Sequence, residues 1–331
     1  MAGYKPLKIT GYSTGLVQER EEFLLPDDAY PRLENAYIFR EAILRKKGCE
    51  LLGRLQRNIG TTNGSGNLAV VIVPNLIQSG VASFVVGSDI FNDPGGASPV
   101  NLLTNSSGTA ILDRATGTLT ITGSQPNTAV QYFPGLPVMG IRIRELQNSS
   151  NDQTIFFDQN YAYIFNASTQ QFDEFIPGTT WNAANIGVSG VNFFWSTNYW
   201  VSQTTIPGTA TPLFTTTNRK LFWVTNNSGA NAIADPPRIT DGITWVDFFP
   251  SVWSQIDATN YLTNFLCMLP FRGRLVTFNT WEGPTSASSQ NYSNRIRWST
   301  IGNPFIPYSA GPPATGSWRD DIRGQGGFLD I

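Results

Sequence analysis

A mainly β chain of many short strands is what this sequence predicts, and three observations predict it. Charged residues are only 14% of the 331 positions, while Gly, Pro, Thr, Ser and Asn are plentiful; turn formers outweighing solvating charge suits short strands joined by turns. Aromatic residues reach 12% and fall in runs whose polarity alternates with a period of two, the mark of a strand with one buried face. Strand pairs then recur without helical interruption. The length exceeds one typical domain, so a large β domain with a smaller companion is expected.

Residues 1–60 form a charged segment with ten of the chain's Lys and Arg and eight of its Asp and Glu. Two local readings stand. As a helix, Leu33, Ala36, Tyr37 and Leu44 would share a face, with Pro31 near the start and Gly48 as the stop. As a hairpin, Ala36–Phe39 and Ala42–Arg45 would pair across Arg40 and Glu41. The charges themselves read as a solvated face or an ion-paired subunit contact.

The run NIGTTNGSGN at 58–67 reads as a turn-rich linker. Residues 61–136 follow as a small inserted β-sandwich. Between Thr61 and Gly140 only Asp89, Asp93, Asp113 and Arg114 are charged. DRATGTLTIT, with Gly117 in its turn, is a hairpin signal, and a module of this size can fold alone with its ends close together.

Residues 137–331 are a string of aromatic strands such as QTIFFDQNYAYIFNASTQQFDEF, VNFFWSTNYWVSQTT and PPRITDGITWVDFFP. Recurring strand pairs without fixed spacing suggest radially repeated sheets, a β-propeller-like domain, with a plain sandwich as the alternative. Within Phe271–Pro304, Leu275, Thr277 and Asn279 alternate with Val276, Phe278 and Thr280, and Arg295, Arg297 and Ser299 with Ile296, Trp298 and Thr300. WEGPTSASSQNYSN between them reads as a polar surface insertion outside any core.

Composition also excludes functions. A net charge of −2 and a pI near 5.3 leave no basic footprint for phosphate neutralisation. The chain has no histidine, which removes the commonest general base and metal ligand and every His-dependent triad. Cys49 and Cys267 stand too far apart for a zinc site and read as small core residues. No run approaches the ~20 apolar residues that span a bilayer, and MAGYKPLKI lacks a signal-peptide core, so a soluble protein made in a cytoplasm is expected.

Three groups of residues still invite chemistry. The adjacent acids Glu21 and Glu22, Asp27 and Asp28, and Asp320 and Asp321 could be weighed as a glycosidase pair, but neighbours on a strand point to opposite faces, so solvated turns are expected. Asp89, Asn92, Asp93 and Gly95 offer oxygens to calcium without EF-hand spacing, and turn formation accounts for them. Trp195 and Trp200 in VNFFWSTNYW could stack on sugar rings if exposed, though core packing is expected. No catalytic residue, cofactor or metal is therefore assigned.

Several stretches carry a family resemblance. VVGSDIFNDPGG and SSGTAILDRATGTLTITGSQPNTAVQYFP resemble β-sandwich units inserted in tail and baseplate proteins of tailed bacteriophages, with Arg114 where an aromatic often stands. RGRLVTFNT, RIRWSTIGNP and the run to GQGGFLDI, together with GYSTGLVQ through PDDAYPRLENAYIFREAILRKKG, resemble the tail nozzle or tail-tube proteins of short-tailed phages, of the tail tubular protein B type, and equally the tail ring or muzzle proteins of crAss-like phages. The resemblance implies the hairpin over the helix for Ala36–Lys47. It also implies a non-enzymatic virion protein, assembled in the host cytoplasm into a ring, sixfold by analogy, below the portal and adaptor, which conducts double-stranded DNA and has no membrane-spanning segment. Such chains continue beyond a segment like GGFLDI, so further blades are expected from more sequence or another chain. A weakly acidic conduit suits DNA passage, since each neutralised phosphate would add affinity and slow it. A carbohydrate- or receptor-binding tail protein is the second reading, and a polysaccharide-cleaving enzyme the third.

Overall fold

The computed structural model describes strand segments at 15–16, 29–30, 36–39 and 42–45, and residues 52–72, 82–96, 99–104, 108–147, 152–178, 181, 194–202, 214, 218–226, 235–252, 260–306 and 317–320. The chain divides into two compact units, Met1–Leu52 and Gly53–Ile331. Regular structure among the described residues is strand, apart from one 3-10 turn at Ser286–Ser288.

In the first unit, β1 (Gly15–Leu16) pairs in parallel with β2 (Ala29–Tyr30). β3 (Ala36–Phe39) and β4 (Ala42–Arg45) pair antiparallel, from Ala36 opposite Arg45 to Phe39 opposite Ala42. This is the hairpin alternative, residue for residue. Backbone pairing settles what propensity leaves open.

The second unit begins with β5 (Leu55–Thr61), followed by β6 (Leu68–Val71), β7 (Ser83–Val86), β8 (Asp89–Asn92), β9 (Val100–Asn101), β10 (Leu103–Thr104), β11 (Thr109–Asp113), β12 (Thr118–Thr122) and β13 (Ala129–Phe133). β6, β12, β11 and β9 form one four-stranded sheet. The strand order β10-β8-β7-β13-β5 forms half of a nine-stranded sheet. Phe84, Val86, Phe91, Val130 and Tyr132 from this half share one apolar cluster with Ala110, Leu112, Leu119 and Ile121 from the other sheet. The alternation in TAILD and TLTIT is read out directly, buried positions facing in and threonines facing out. Chain entry and exit lie side by side, since the Thr62 N–H donates to the Thr128 carbonyl at 3.0 Å.

The run NIGTTNGSGN departs from the linker reading. Its first four residues complete β5, and the turn is confined to Thr62–Asn67. Gly60 sits there at φ 153°, where the register between β5 and β13 slips. A glycine that marks a bulge looks in sequence like one that marks a loop.

The nine-stranded sheet continues from β5 into β17 (Gln171–Glu174), β16 (Ala162–Asn166), β15 (Gln153–Phe157) and β14 (Gly140–Arg144), an antiparallel meander that joins β5 through its parallel β17 edge. Two more four-stranded antiparallel meanders come after it. The second is β18 (Trp195–Trp200), β19 (Lys220–Thr225), β20 (Arg238–Thr240) and β21 (Trp245–Asp247). The third is β22 (Tyr261–Phe271), β23 (Arg274–Gly283), β24 (Gln290–Trp298) and β25 (Arg319–Asp320).

Successive meanders pack through aromatic cores. Ile155, Phe157 and Ala162 of the first meet Phe222 and Val224 of the second, with Trp181 and Phe194 between them. Leu221, Trp223 and Ile239 of the second meet Leu262, Phe265, Met268 and Leu275 of the third, with Phe248, Phe305 and Trp318. Each such ring removes enough apolar surface from water to stabilise by about 2–3 kcal/mol. No sheet closes on itself among the described residues, so the architecture is that of several open β-sheets.

Phe271–Pro304 is a longer hairpin than its sequence suggests. Trp281, Glu282 and Gly283 extend β23, Gln290–Asn294 belong to β24, and only Pro284–Ser289 connect them. Asn279 adopts φ 51° at a register slip between Phe278 and Thr280. The slip reverses the facing of the later β23 residues, so Thr277, Thr280 and Glu282 are all buried. The insertion reading of WEGP fails because one bulge carries its glutamate into the core.

Candidate functional site

Two buried polar clusters built around carboxylates, and a cleft, are the places among the described residues where chemistry is weighed. The first cluster gathers at the β5–β17 seam. Asp158, at the turn between β15 and β16, is fully buried. Its Oδ1 accepts the N–H groups of Asn160 and Tyr161, each at 2.7 Å, and its Oδ2 accepts the Tyr163 hydroxyl at 2.6 Å. Asp-x-Asn is a turn sequence whose carboxylate satisfies its own following amides. Arg57 on β5 stacks over the Tyr161 ring, 3.8 Å from its centroid, and its Nε donates to Glu174 Oε2 at 2.9 Å. Tyr132 on β13 stands opposite Arg57 in register.

Burial pushes the Asp158 carboxyl up to about 6, against the opposing pull of the Tyr163, Asn160 and Tyr161 bonds and the Arg57 charge. Desolvation disfavours the anion more than its three donors favour it. Burial likewise raises Tyr132, Tyr161 and Tyr163 above their ordinary value. The Tyr132 and Tyr161 hydroxyls and Asn160 Oδ1 are buried without hydrogen-bond partners. Every oxygen of Asp158 faces groups of the chain itself, so the geometry suits holding strands together rather than acting on a substrate.

The second cluster lies in the third meander. Glu282 is 3% exposed and Arg297 is 0% exposed. Arg297 grips the carboxylate with two bonds, Nε to Oε1 at 2.8 Å and Nη2 to Oε2 at 2.6 Å, and its Nη1 donates to the Trp318 carbonyl at 3.0 Å. Arg295 Nη1 adds a bond to Oε2 at 2.7 Å and the Thr280 hydroxyl one to Oε1 at 2.7 Å. Burial alone would raise this carboxyl, but the bonds and charges of Arg297 and Arg295 outweigh it and hold it below the usual carboxylate range.

The cleft, of about 330 Å³, is lined by Phe249, Tyr261, Thr263, Pro284, Thr285 and Ser286.

The residues singled out in the sequence are dispersed. Asp89 opens β8 and Asp93 directly follows it: Asp89 accepts from the Ser124 hydroxyl and the Gln125 N–H, while Asp93 pairs with Arg114 and accepts the Gly95 N–H at 2.9 Å. Their oxygens serve turns and an ion pair, not one common centre. Trp195 and Trp200 are both exposed, at 39% and 52%. Five residues apart on one strand, they point to opposite faces and do not form a joint platform. Trp195 also donates its Nε1–H to the Met268 carbonyl at 2.7 Å. The core aromatics of that run are Phe194 and Tyr199. Cys267 is buried in β22, where burial raises its thiol. Cys49, Glu21, Glu22, Asp27, Asp28 and Asp321 lie outside the described residues, and of Asp320 only its backbone place in β25 is described.

Sequence reasoning missed Arg57, Asp158, Glu174, Glu282 and Arg297. The available signals were the DQN turn and an arginine at a strand position between apolar neighbours in IRWS. Partner identity was hidden, because Arg57 and Glu174 are 117 residues apart.

No protein-family model matches the chain, and neither the search of curated proteins nor that of solved structures returns a match. The assignment therefore rests on the residues alone.

Proposed function

We propose that the chain is a structural virion protein, a subunit of a phage tail nozzle or tail ring that lines a passage for double-stranded DNA. The observation that carries this reading is the series of three consecutive four-stranded meanders stacked through aromatic cores, the way blades stack in a propeller. The resemblance of RGRLVTFNT and RIRWSTIGNP to such tail proteins supports the same reading; the first supplies most of β23 and the second the end of β24. Both buried clusters tie strands together, as a load-carrying protein requires. Catalysis has no part in the reading, and no cofactor is invoked. Electron microscopy of the purified protein and of virions tests it: rings, and density located in the tail, are expected, and a monomer with no place in the tail overturns it.

One observation favours a second reading, a carbohydrate- or receptor-binding tail protein. The rings of Phe249 and Tyr261, 45% and 39% exposed, flank a cleft that also bears Thr and Ser hydroxyls, and sugars are bound by ring stacking plus hydroxyl contacts. Glycan-array binding lost in Tyr261→Ala would establish it; a blank array would remove it.

A further inference from the structure

The three meanders stack in order, so one face of the first and one face of the third take no part in the aromatic cores between them. Side chains alternate across a sheet, and the register identifies which ones these are. In the first meander Ile155 and Phe157 turn toward the second. Phe156 and its β14 neighbour Ile141 therefore lie on the opposite face, with Ile143 next along the strand. Ile141 and Ile143 are 53% and 58% exposed, and Phe165 on the same face is exposed too. In the third meander Met268 and Leu275 turn toward the second. Leu269, Val276 and Trp298, matched in register, thus lie on its far face, with Phe271 and Ile296. Phe271 is 56% exposed, and Leu269 and Ile296 are exposed as well.

The two ends of the series differ in charge. Residues 140–174 of the first meander hold two arginines against five acids, residues 195–247 of the second hold three cations and three acids, and residues 261–298 of the third hold four arginines against one acid. At the first face Asp152 is exposed just ahead of β15, and Glu145, paired with Lys220, keeps nearly half of its side chain in solvent. At the third, Arg272 and Arg274 flank Gly273 in the β22–β23 turn, and neither pairs with an acid among the described residues. The one acid there, Glu282, is enclosed by Arg297 and Arg295.

Arg272 points to a partner for a second reason. It sits at φ 47° and Gly273 at φ 73°, the two left-handed positions of a hairpin turn that favours Asn-Gly. An arginine is strained there, and such strain persists where the side chain serves something beyond the turn. Its guanidinium stands 5.4 Å from the centroid of the Phe271 ring, so cation and aromatic are displayed together. The tip is held in place, because the Gly273 carbonyl accepts the Tyr199 hydroxyl at 2.6 Å and the Gly302 N–H at 2.8 Å.

We propose that copies of this chain join head to tail, the Phe271–Arg272 face of one third meander seating on the Ile141–Ile143 face of the next copy's first meander. This rests on reading the chain as a ring subunit and says which surfaces meet. Clustered apolar side chains in solvent mark an interaction surface, and a basic rim facing an acidic one sets the orientation, while like faces repel. Two different faces make a heterologous contact, which propagates into a ring or a filament and does not stop at a dimer.

Sedimentation velocity of the full chain tests this with two variants and their mixture. Ile143→Asp spoils the first face and leaves the third, and Phe271→Asp does the reverse. Each alone is expected to lose at least about 10-fold in self-association. Their equimolar mixture should form a heterodimer that grows no further, since one sound pair of faces remains. Should either variant not fold, Arg272→Glu and Asp152→Lys take their place: each alone weakens assembly, and mixing restores it, because the reversed charges now match. A mixture without association, or a variant that assembles as the unmodified chain does, overturns this pairing of faces and leaves a ring built through other surfaces standing. An unmodified chain that stays monomeric at every concentration overturns the pairing, and absence from the virion tail then removes the ring reading as well.

Discussion

Asp158 and Glu282 are both buried carboxylates in β-sheets of similar make, yet their surroundings drive them in opposite directions. Asp158 is held by two amides and a hydroxyl, with the nearest cation shared with Glu174, and its acidity falls. Glu282 receives a bidentate guanidinium, a second arginine and a hydroxyl, and its acidity rises. Neutral donors do not compensate for lost water, whereas an aligned arginine does. The pH consequences are opposite in sign. The Glu282 contribution is present above the ordinary carboxylate value and is lost as the pH falls through its depressed one; the Asp158 contribution is present in acid and is lost as the pH rises through about 6.

The largest effect should come from breaking the strong pair. Arg297→Met leaves Glu282 buried beside Arg295 alone, and a loss of about 3–5 kcal/mol in denaturant unfolding is expected. Adding Glu282→Leu should recover most of that loss, because two apolar residues need no compensation in a dry interior. A double variant no better than R297M would show that the pair is prized for packing and not for charge.

Next in size is Asp158→Asn. Its removal of a raised carboxyl should stabilise the protein at about pH 7.5 and have little effect at about pH 4, with the difference bounded by about 3 kcal/mol for the interval between 3.8 and about 6. Unfolding midpoints across that range check it. A variant destabilised equally at every pH would mean that the turn needs the carboxylate itself.

These contrasts were only partly legible in the sequence. The alternation in TLTIT could be read because local pattern and turn chemistry agree there, whereas Ala36–Arg45 admitted helix and hairpin alike and only the family resemblance chose the hairpin. The loop in WEGPTSASSQNYSN and the linker in NIGTTNGSGN were misread for one shared reason. A bulge, at Asn279 or Gly60, lets a strand continue through residues that look like its end. The clusters were illegible because a buried charge is specified by its partner, and Arg57, Asp158 and Glu174 meet only through the order of strands. The stacking of meanders is explained by aromatic strand pairs, but whether a series closes depends on geometry that no single strand encodes.

The smallest effects bear on the tyrosines around Asp158, and they sharpen the comparison most finely. Tyr163→Phe deletes a donor to a buried carboxylate, so a loss of about 1–2 kcal/mol is expected, with the Asp158 midpoint moving further up. Tyr132→Phe deletes a buried hydroxyl that has no partner. That hydroxyl has surrendered its water for nothing, so its removal should be neutral or stabilising by up to about 1 kcal/mol. Thermal unfolding of the two variants side by side tests both. If Tyr132→Phe proves as costly as Tyr163→Phe, the Tyr132 hydroxyl is bonded to an internal water, and the cluster owes part of its cohesion to solvent that it has enclosed.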